Sequence, residues 1–247
     1  MDRTKNQEEF FSSQAEGYER LYGAESEFEG GIVEKRRELV RSSEKSGMAL
    51  DLGTGTGTYL PEISGKAKTV IALDISPKML AIAGRRLAKG KMKNVHLVIA
   101  DAQALPLKPE KFDTVYCINT FYHVPNRDIA LMEMHRVMKN RGIAFIEFYN
   151  ILHPFVFART LFNMVSPKWG FVYAEFLPSF RRRLEGNGFS LAGDFSAISY
   201  VETSQAVRRW LPAFLFRALR GYEGLSARFT FIRPPKMRCA VRIMKGK

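Results

Sequence analysis

The sequence predicts an α/β fold: a doubly wound, mostly parallel seven-stranded sheet with helices on both faces and insertions on one side. Three observations carry this prediction. Apolar runs of strand length alternate with runs of helical period between residues 48 and 150, and strands separated by helices pair in parallel through right-handed crossovers. A glycine turn, Gly53, Gly55 and Gly57, directly follows the first of these strands. A second strand ends about twenty residues later at an acid, Asp74. Together the turn and the acid describe a nucleotide-type site at the carboxyl edge of a parallel sheet.

In chain order, residues 7–45 read as polar and helical, with Phe10, Phe11, Tyr18, Leu21 and Tyr22 as anchors. Strand Met48–Leu52 feeds the glycine turn through Asp51, and a helix follows near Tyr59–Ser64. The second strand is Val70–Leu73. Ser76 then suits a helix cap, with Pro77 at the first helical position and Met79, Leu80, Ile82, Ala83 and Leu87 forming an amphipathic run. Strand Val95–Ala100 runs into Asp101-Ala102-Gln103, and strand Thr114–Asn119 into the loop Thr120-Phe121-Tyr122-His123-Val124. A helix over Asn126–Met138 and a strand over Ile143–Phe148 flank the turn Asn140-Arg141-Gly142. A helix over Pro178–Asn187, a strand over Phe189–Phe195 and a last, antiparallel strand over Arg238–Met244 complete the sheet. Two segments are extra: the aromatic-rich stretch Asn150–Leu177, and Ser204–Tyr222, where Trp210, Leu211, Phe214 and Leu215 fall at helical spacing among Arg208, Arg209, Arg217 and Arg220.

The glycine spacing selects the ligand. A dinucleotide fingerprint needs its third glycine at position 58, where Thr58 stands; the third glycine is Gly57. The pattern Asp51-x-Gly53-x-Gly55-x-Gly57 resembles the first motif of class I methyltransferases that use S-adenosylmethionine (SAM), nearest to the methyltransferase type 11, UbiE-like small-molecule group. Five motifs fall in that family's order over residues 10–150. The resemblance implies a Rossmann-like fold and SAM as cofactor. It places Asp51, Gly53, Thr54, Gly55 and Gly57 around the methionine end and gives the ribose hydroxyls to Asp74, a carboxylate being acceptor-only. Ile75 and Met79 continue that wall, Asp101 and Ala102 meet the adenine, Asn119 lies where the methyl is presented, and Tyr18 closes over the cofactor. In the loop after strand four, His123 is the candidate base and Tyr122 the residue orienting the acceptor. The family's Pro-Gly-Gly turn is reduced here to Gly142.

Every one of these residues also has a purely structural role open to it: a helix cap, a turn carboxylate, a packed aromatic. At the level of function, a SAM-binding sensor or scaffold without catalysis and an RNA methyltransferase stand beside the leading reading, transfer to a small-molecule or lipid-like acceptor at oxygen first, then nitrogen or carbon. A dinucleotide oxidoreductase is disfavoured by Thr58. Amino-group methylation of adenine or glutamine is disfavoured because Asn119-Thr-Phe-Tyr lacks the prolines typical of those enzymes. Cytosine C5 methylation needs a nucleophilic cysteine, and Cys117 lies inside a strand pattern.

Composition adds bounds. The 247 residues suit one large α/β domain. Its expected parts are an N-terminal helical cap over 1–45, a SAM-binding core over 46–150, an insertion over 151–180, and a carboxyl-terminal part over 181–247. Neither a membrane-spanning run nor a signal-peptide pattern is visible, which sets the expectation of a cytoplasmic protein, peripheral to the membrane at most. Cys117 and Cys239 read as buried thiols, and no metal-ligand spacing occurs. The net charge of +13 is uneven: residues 181–247 carry fourteen basic against four acidic residues. That field suits an anionic membrane surface or nucleic acid, or a solvated face with no partner.

Overall fold

A computed structural model describes residues 3–22, 30–152, 156, 157, 160, 173–192, 196–199 and 238–246. Two helices, α1 (Arg3–Tyr22) and α2 (Gly30–Arg41), precede the sheet. β1 (Ser46–Leu52), α3 (Leu60–Ser64), β2 (Ala67–Asp74), α4 (Pro77–Gly90), β3 (Val95–Ile99) and β4 (Phe112–Cys117) then alternate. α5 (Arg127–Val137), β5 (Met138–Asn150), β6 (Ala174–Glu175), α6 (Leu177–Gly186), β7 (Phe189–Leu191), β8 (Ser196–Ser199) and β9 (Arg238–Lys245) follow.

The main path of the sheet has the order β3-β2-β1-β4-β5-β9-β7. β1 pairs in parallel with β2 and with β4, β2 with β3, and β4 with β5. β9 inserts antiparallel between β5 and β7. The seven-stranded doubly wound sheet expected from the sequence is therefore present, with β6 and β8 as short additions on β5 and β9.

Alternation along the strands divides the core. Leu50, Leu52, Val115 and Cys117 face one layer, with Leu131 and Met134 of α5 and Phe180 and Leu184 of α6. Their neighbours Ala49, Tyr116 and Ile118 face the other, with Val33 and Val40 of α2, Leu60 and Ile63 of α3, and Ala83 of α4. Successive residues of a strand point to opposite faces, so a strand buried on both sides is apolar throughout. Burial pushes the Cys117 thiol well above its ordinary pKa; the side chain of Cys239 lies outside the described residues.

Local signals fix the element ends. Ser76 caps α4 by accepting from the Met79 N–H (3.3 Å), with Pro77 behind it. Asn126 caps α5 by accepting from the Ile129 N–H (3.2 Å). Two strands differ from expectation. β5 begins five residues early, because Phe112 pairs with Met138 and Thr114 with Ile143, so an irregularity on β5 absorbs the turn residues; Arg141 takes φ +63° within it. β7 stops at Leu191, and residues 193–195 of the expected longer strand lie outside the described residues. So do most of the insertion 150–177 and all of 204–222.

Phe180 ties α6 to the sheet, its ring 4.4 Å from Phe148 and 5.8 Å from Phe121. Phe180→Ala is expected to lower unfolding free energy by about 3–5 kcal/mol in urea titration. Ile129→Ala, on a residue 41% exposed, should stay within about 0.5 kcal/mol of wild type.

Candidate cofactor site

The site lies where the strand order reverses. Chain leaving β1 turns toward β2 and chain leaving β4 turns toward β5, which opens a crevice at their carboxyl ends. The turn after β1 is stitched to β2: Gly53 N–H and Thr54 N–H both donate to Leu73 O (2.7 and 2.8 Å). Gly55 N–H donates to Asp74 Oδ2 (2.8 Å), and Ser76 N–H to Asp74 Oδ1 (2.9 Å). The acid ending β2 thus holds the glycine turn and the start of α4 together. Burial raises its pKa, and these N–H donors moderate the rise.

The glycines do different work. All three have positive φ, +76°, +55° and +76°. A Cβ on Gly53 would stand 2.2 Å from Thr120 Cγ2, because Thr120 packs on the turn and donates from Oγ1 to Gly53 O (3.0 Å). A Cβ on Gly55 would meet nothing within 4 Å among the described residues, so the turn is open at this point. A Cβ on Gly57 would press on Leu60 and Ala83 (2.9 and 3.2 Å); the third glycine serves contact with α3 and α4.

A partly open cavity occupies the crevice. Ten predicted residues line it: Tyr18, Gly53, Gly55, Asp74, Ile75, Met79, Asp101, Ala102, Asn119 and His123. Thr54 lines a smaller cavity that shares Tyr18, Gly53, Gly55 and Asn119 with it. The other three predicted residues, Asp51, Gly57 and Tyr122, line neither. Asp51 is 3% exposed, and its Oδ2 has no hydrogen-bond partner among the described residues. Tyr122 is buried edge-on against Tyr149 (4.5 Å) and donates to Asn119 Oδ1. It positions the wall from behind, and the role of orienting an acceptor directly does not suit a buried ring.

Residues that the motifs did not single out complete the site. α1 lies over the crevice and contributes Thr4, Gln7 and Phe11. Phe11 meets the His123 ring edge-on at 5.0 Å, and the Ser12 and Ser76 hydroxyls share a hydrogen bond of 2.8 Å. Gln103 binds Asp101 through its backbone N–H (2.9 Å) and side-chain amide, donates to Thr4 Oγ1 (3.2 Å) and accepts from Asn126 N–H (2.9 Å). Arg136 pins the same loop by donating to Leu105 O and Leu107 O (2.9 and 2.8 Å). Beneath Asn119 lies a buried ion pair, Arg36 with Glu147, 1% and 0% exposed. Only Glu147 left a signal, a charge within the apolar strand Ile143–Phe148; Arg36 sits in a charged helix where nothing marks it.

A sheet of this order, with a glycine turn and an acid meeting at its switch point, is a Rossmann-like doubly wound fold. Residues 50–146 match the family model described as a methyltransferase domain. The chain is 32% identical over 143 residues to the ubiquinone/menaquinone biosynthesis C-methyltransferase UbiE of Rhizobium rhizogenes, covering 56% of this chain and 52% of that protein. It is 29% identical over 198 residues to the UbiE protein of Brucella canis, covering 77% and 67%. The chain thus spans about half to two thirds of these curated relatives. The fold of phosphoethanolamine N-methyltransferase 2 from Haemonchus contortus superposes with a TM-score of 0.70 at 17% identity, over all of this chain and 60% of that one. These likenesses support a class I SAM-dependent methyltransferase. Among the described residues no group of His, Cys, Asp and Glu is arranged to hold a metal ion, and no helix is long and apolar enough to cross a membrane.

Burial pushes the Asp51 carboxyl up to about 7; the Thr54 hydroxyl pulls it back and the Asp74 carboxylate adds to the rise. Since the unfolded value is near 3.9, the folded state holds the proton more tightly, and this contribution is lost as pH rises through about 7. Between pH 5 and 8 wild type is expected to lose roughly 3 kcal/mol relative to Asp51→Asn, at 1.36 kcal/mol per unit. Thermal melts of both proteins at the two pH values measure this.

Proposed function

We propose that the chain binds SAM in this cavity and transfers its methyl group to an uncharged, largely apolar small-molecule or lipid-like acceptor. The observation that carries the reading is the meeting of Asp74 with the open side of Gly55 in one cavity at the β1/β4 switch point. The residues present fit the cofactor. Asp74 uses two N–H donors and keeps acceptor capacity for hydroxyls. Gly55 admits a ligand against backbone. Thr54, beside the buried Asp51 carboxyl, lines the adjoining cavity. When bound, the cofactor supplies an electrophilic methyl on a sulfonium.

The chain's own residues then have three tasks. Asp74 and Asp101 hold the polar parts of the ligand. Phe11, Val124 and Pro125, which line the same cavity, exclude water from the acceptor side. His123 takes a proton from an acceptor that must lose one, the work for which imidazole is suited at neutral pH. An apolar acceptor is supported by a wall in which, among the described residues, no lysine or arginine appears. The UbiE relatives are named for carbon methylation in quinone biosynthesis, which moves carbon ahead of the oxygen that sequence alone put first. Attachment to an anionic membrane or nucleic acid through residues 181–247 rests on the basic charge of that segment alone.

Labelled methyl from SAM, offered to a cell extract and partitioned into organic, small polar and macromolecular fractions, tests the reading. Label is expected in the organic fraction. Label in nuclease-sensitive material would support an RNA methyltransferase, and SAM binding with no transfer would support the sensor. In the same assay His123→Ala should lower turnover by about 10²-fold or more with SAM affinity unchanged. Asp74→Ala should weaken SAM binding by roughly tenfold to a hundredfold, the loss of charged hydrogen bonds.

A further inference from the structure

We infer that the buried Arg36–Glu147 ion pair is a positioning device: it orients Asn119 and, through Asn119, docks α1 over the cavity. The pair joins α2 to β5. Arg36 Nε and Nη2 donate to Glu147 Oε2 and Oε1 (2.9 and 2.8 Å), a two-pronged contact. Nη1 donates to the Tyr59 hydroxyl (3.2 Å), and Nη2 also donates to Asn119 Oδ1 (2.7 Å). Glu147 Oε2 accepts the Asn119 backbone N–H (2.9 Å). Asn119 is thus gripped twice, by main chain and by side chain, at φ +59°, a left-handed conformation that Asn tolerates better than most residues.

The grip fixes a direction. A guanidinium has only donors, so the oxygen of the Asn119 amide must face Arg36. Tyr122 donates to the same oxygen. The amide nitrogen is therefore turned the other way, where it donates to the Tyr18 hydroxyl on α1 (2.8 Å). Tyr18 and Asn119 both line the cavity. An unbroken chain of hydrogen bonds runs from a charge pair in the core to the helix that covers the crevice.

Stability alone does not call for a buried ion pair here. Apolar residues of similar volume usually hold such a position at least as well, whereas a half-removed pair leaves a charge without its partner. What an apolar pair cannot do is choose which way an amide points.

The test replaces the whole pair. Backbone hydrogen exchange over α1 is measured in the full chain without ligand, for wild type, Tyr18→Phe, Asn119→Gly, the double variant Arg36→Met/Glu147→Leu, and that double variant combined with Tyr18→Phe. Exchange in the carboxyl-terminal half of α1 should quicken about tenfold over wild type in Tyr18→Phe, Asn119→Gly and the double variant alike, with no further increase in the combination, since all cut one path. Exchange in β1 and β4 should stay as in wild type. Unchanged α1 exchange in the double variant, or additive effects in the combination, would overturn the inference. If the double variant does not fold, Asn119→Gly, which leaves the ion pair whole, decides it alone by the same α1 criterion. Titration with S-adenosylhomocysteine extends the test to the ligand and rests on the cofactor reading above. About tenfold weaker binding is expected in every variant that loosens α1. Failure of wild type to bind would count against the cofactor reading, while the exchange data still judge the positioning role.

Discussion

The parallel pairing of β1 with β2 on one side and β4 on the other is the constraint on which the rest depends. Right-handed crossovers send the chain after β1 and the chain after β4 in opposite directions, so backbone cannot fill the space between them. Each working group is attached to one side of that gap. Asp74 and the glycine turn belong to the β1/β2 side, where three N–H groups cross from one turn to the end of β2. Asn119, Thr120 and His123 belong to the β4 side. The sides are joined where Thr120 packs on Gly53, so close that no side chain fits between them.

Much of this was legible because it is local. Strand and helix periods, Ser76 before Pro77, and the spacing of Asp51, Gly53 and Asp74 are all set by neighbours in sequence. What escaped is long-range. Arg36 and Glu147 stand 111 residues apart, and neither α2 nor β5 says alone that they meet. Gln103 links the Asp101 loop to α1 and α5 through contacts up to 99 residues distant. Asp51, Gly57 and Tyr122 belong to the motifs, yet they line neither cavity. Motif membership says which turn a residue belongs to; strand alternation and the approach of Ala83 decide which way it faces.

The electrostatics of the site run against those of the chain. The protein carries +13 overall, but its cavity is lined by Asp74 and Asp101, with Asp51 buried near them. An acidic pocket within a basic protein favours a cationic ligand inside and anionic surroundings outside. The Asp74 carboxylate adds to the rise that burial causes in the Asp51 pKa, and hydrogen bonds from backbone N–H groups, which need no counter-charge, hold Asp74 in place.

Cys117 has a practical consequence. Its thiol is fully buried in the central strand β4 and is held in the unreactive protonated form. A thiol reagent can reach it only when that strand leaves the sheet. Its rate of alkylation is therefore a clock for opening of the middle of the molecule, built into the chain and independent of any ligand or assay of turnover.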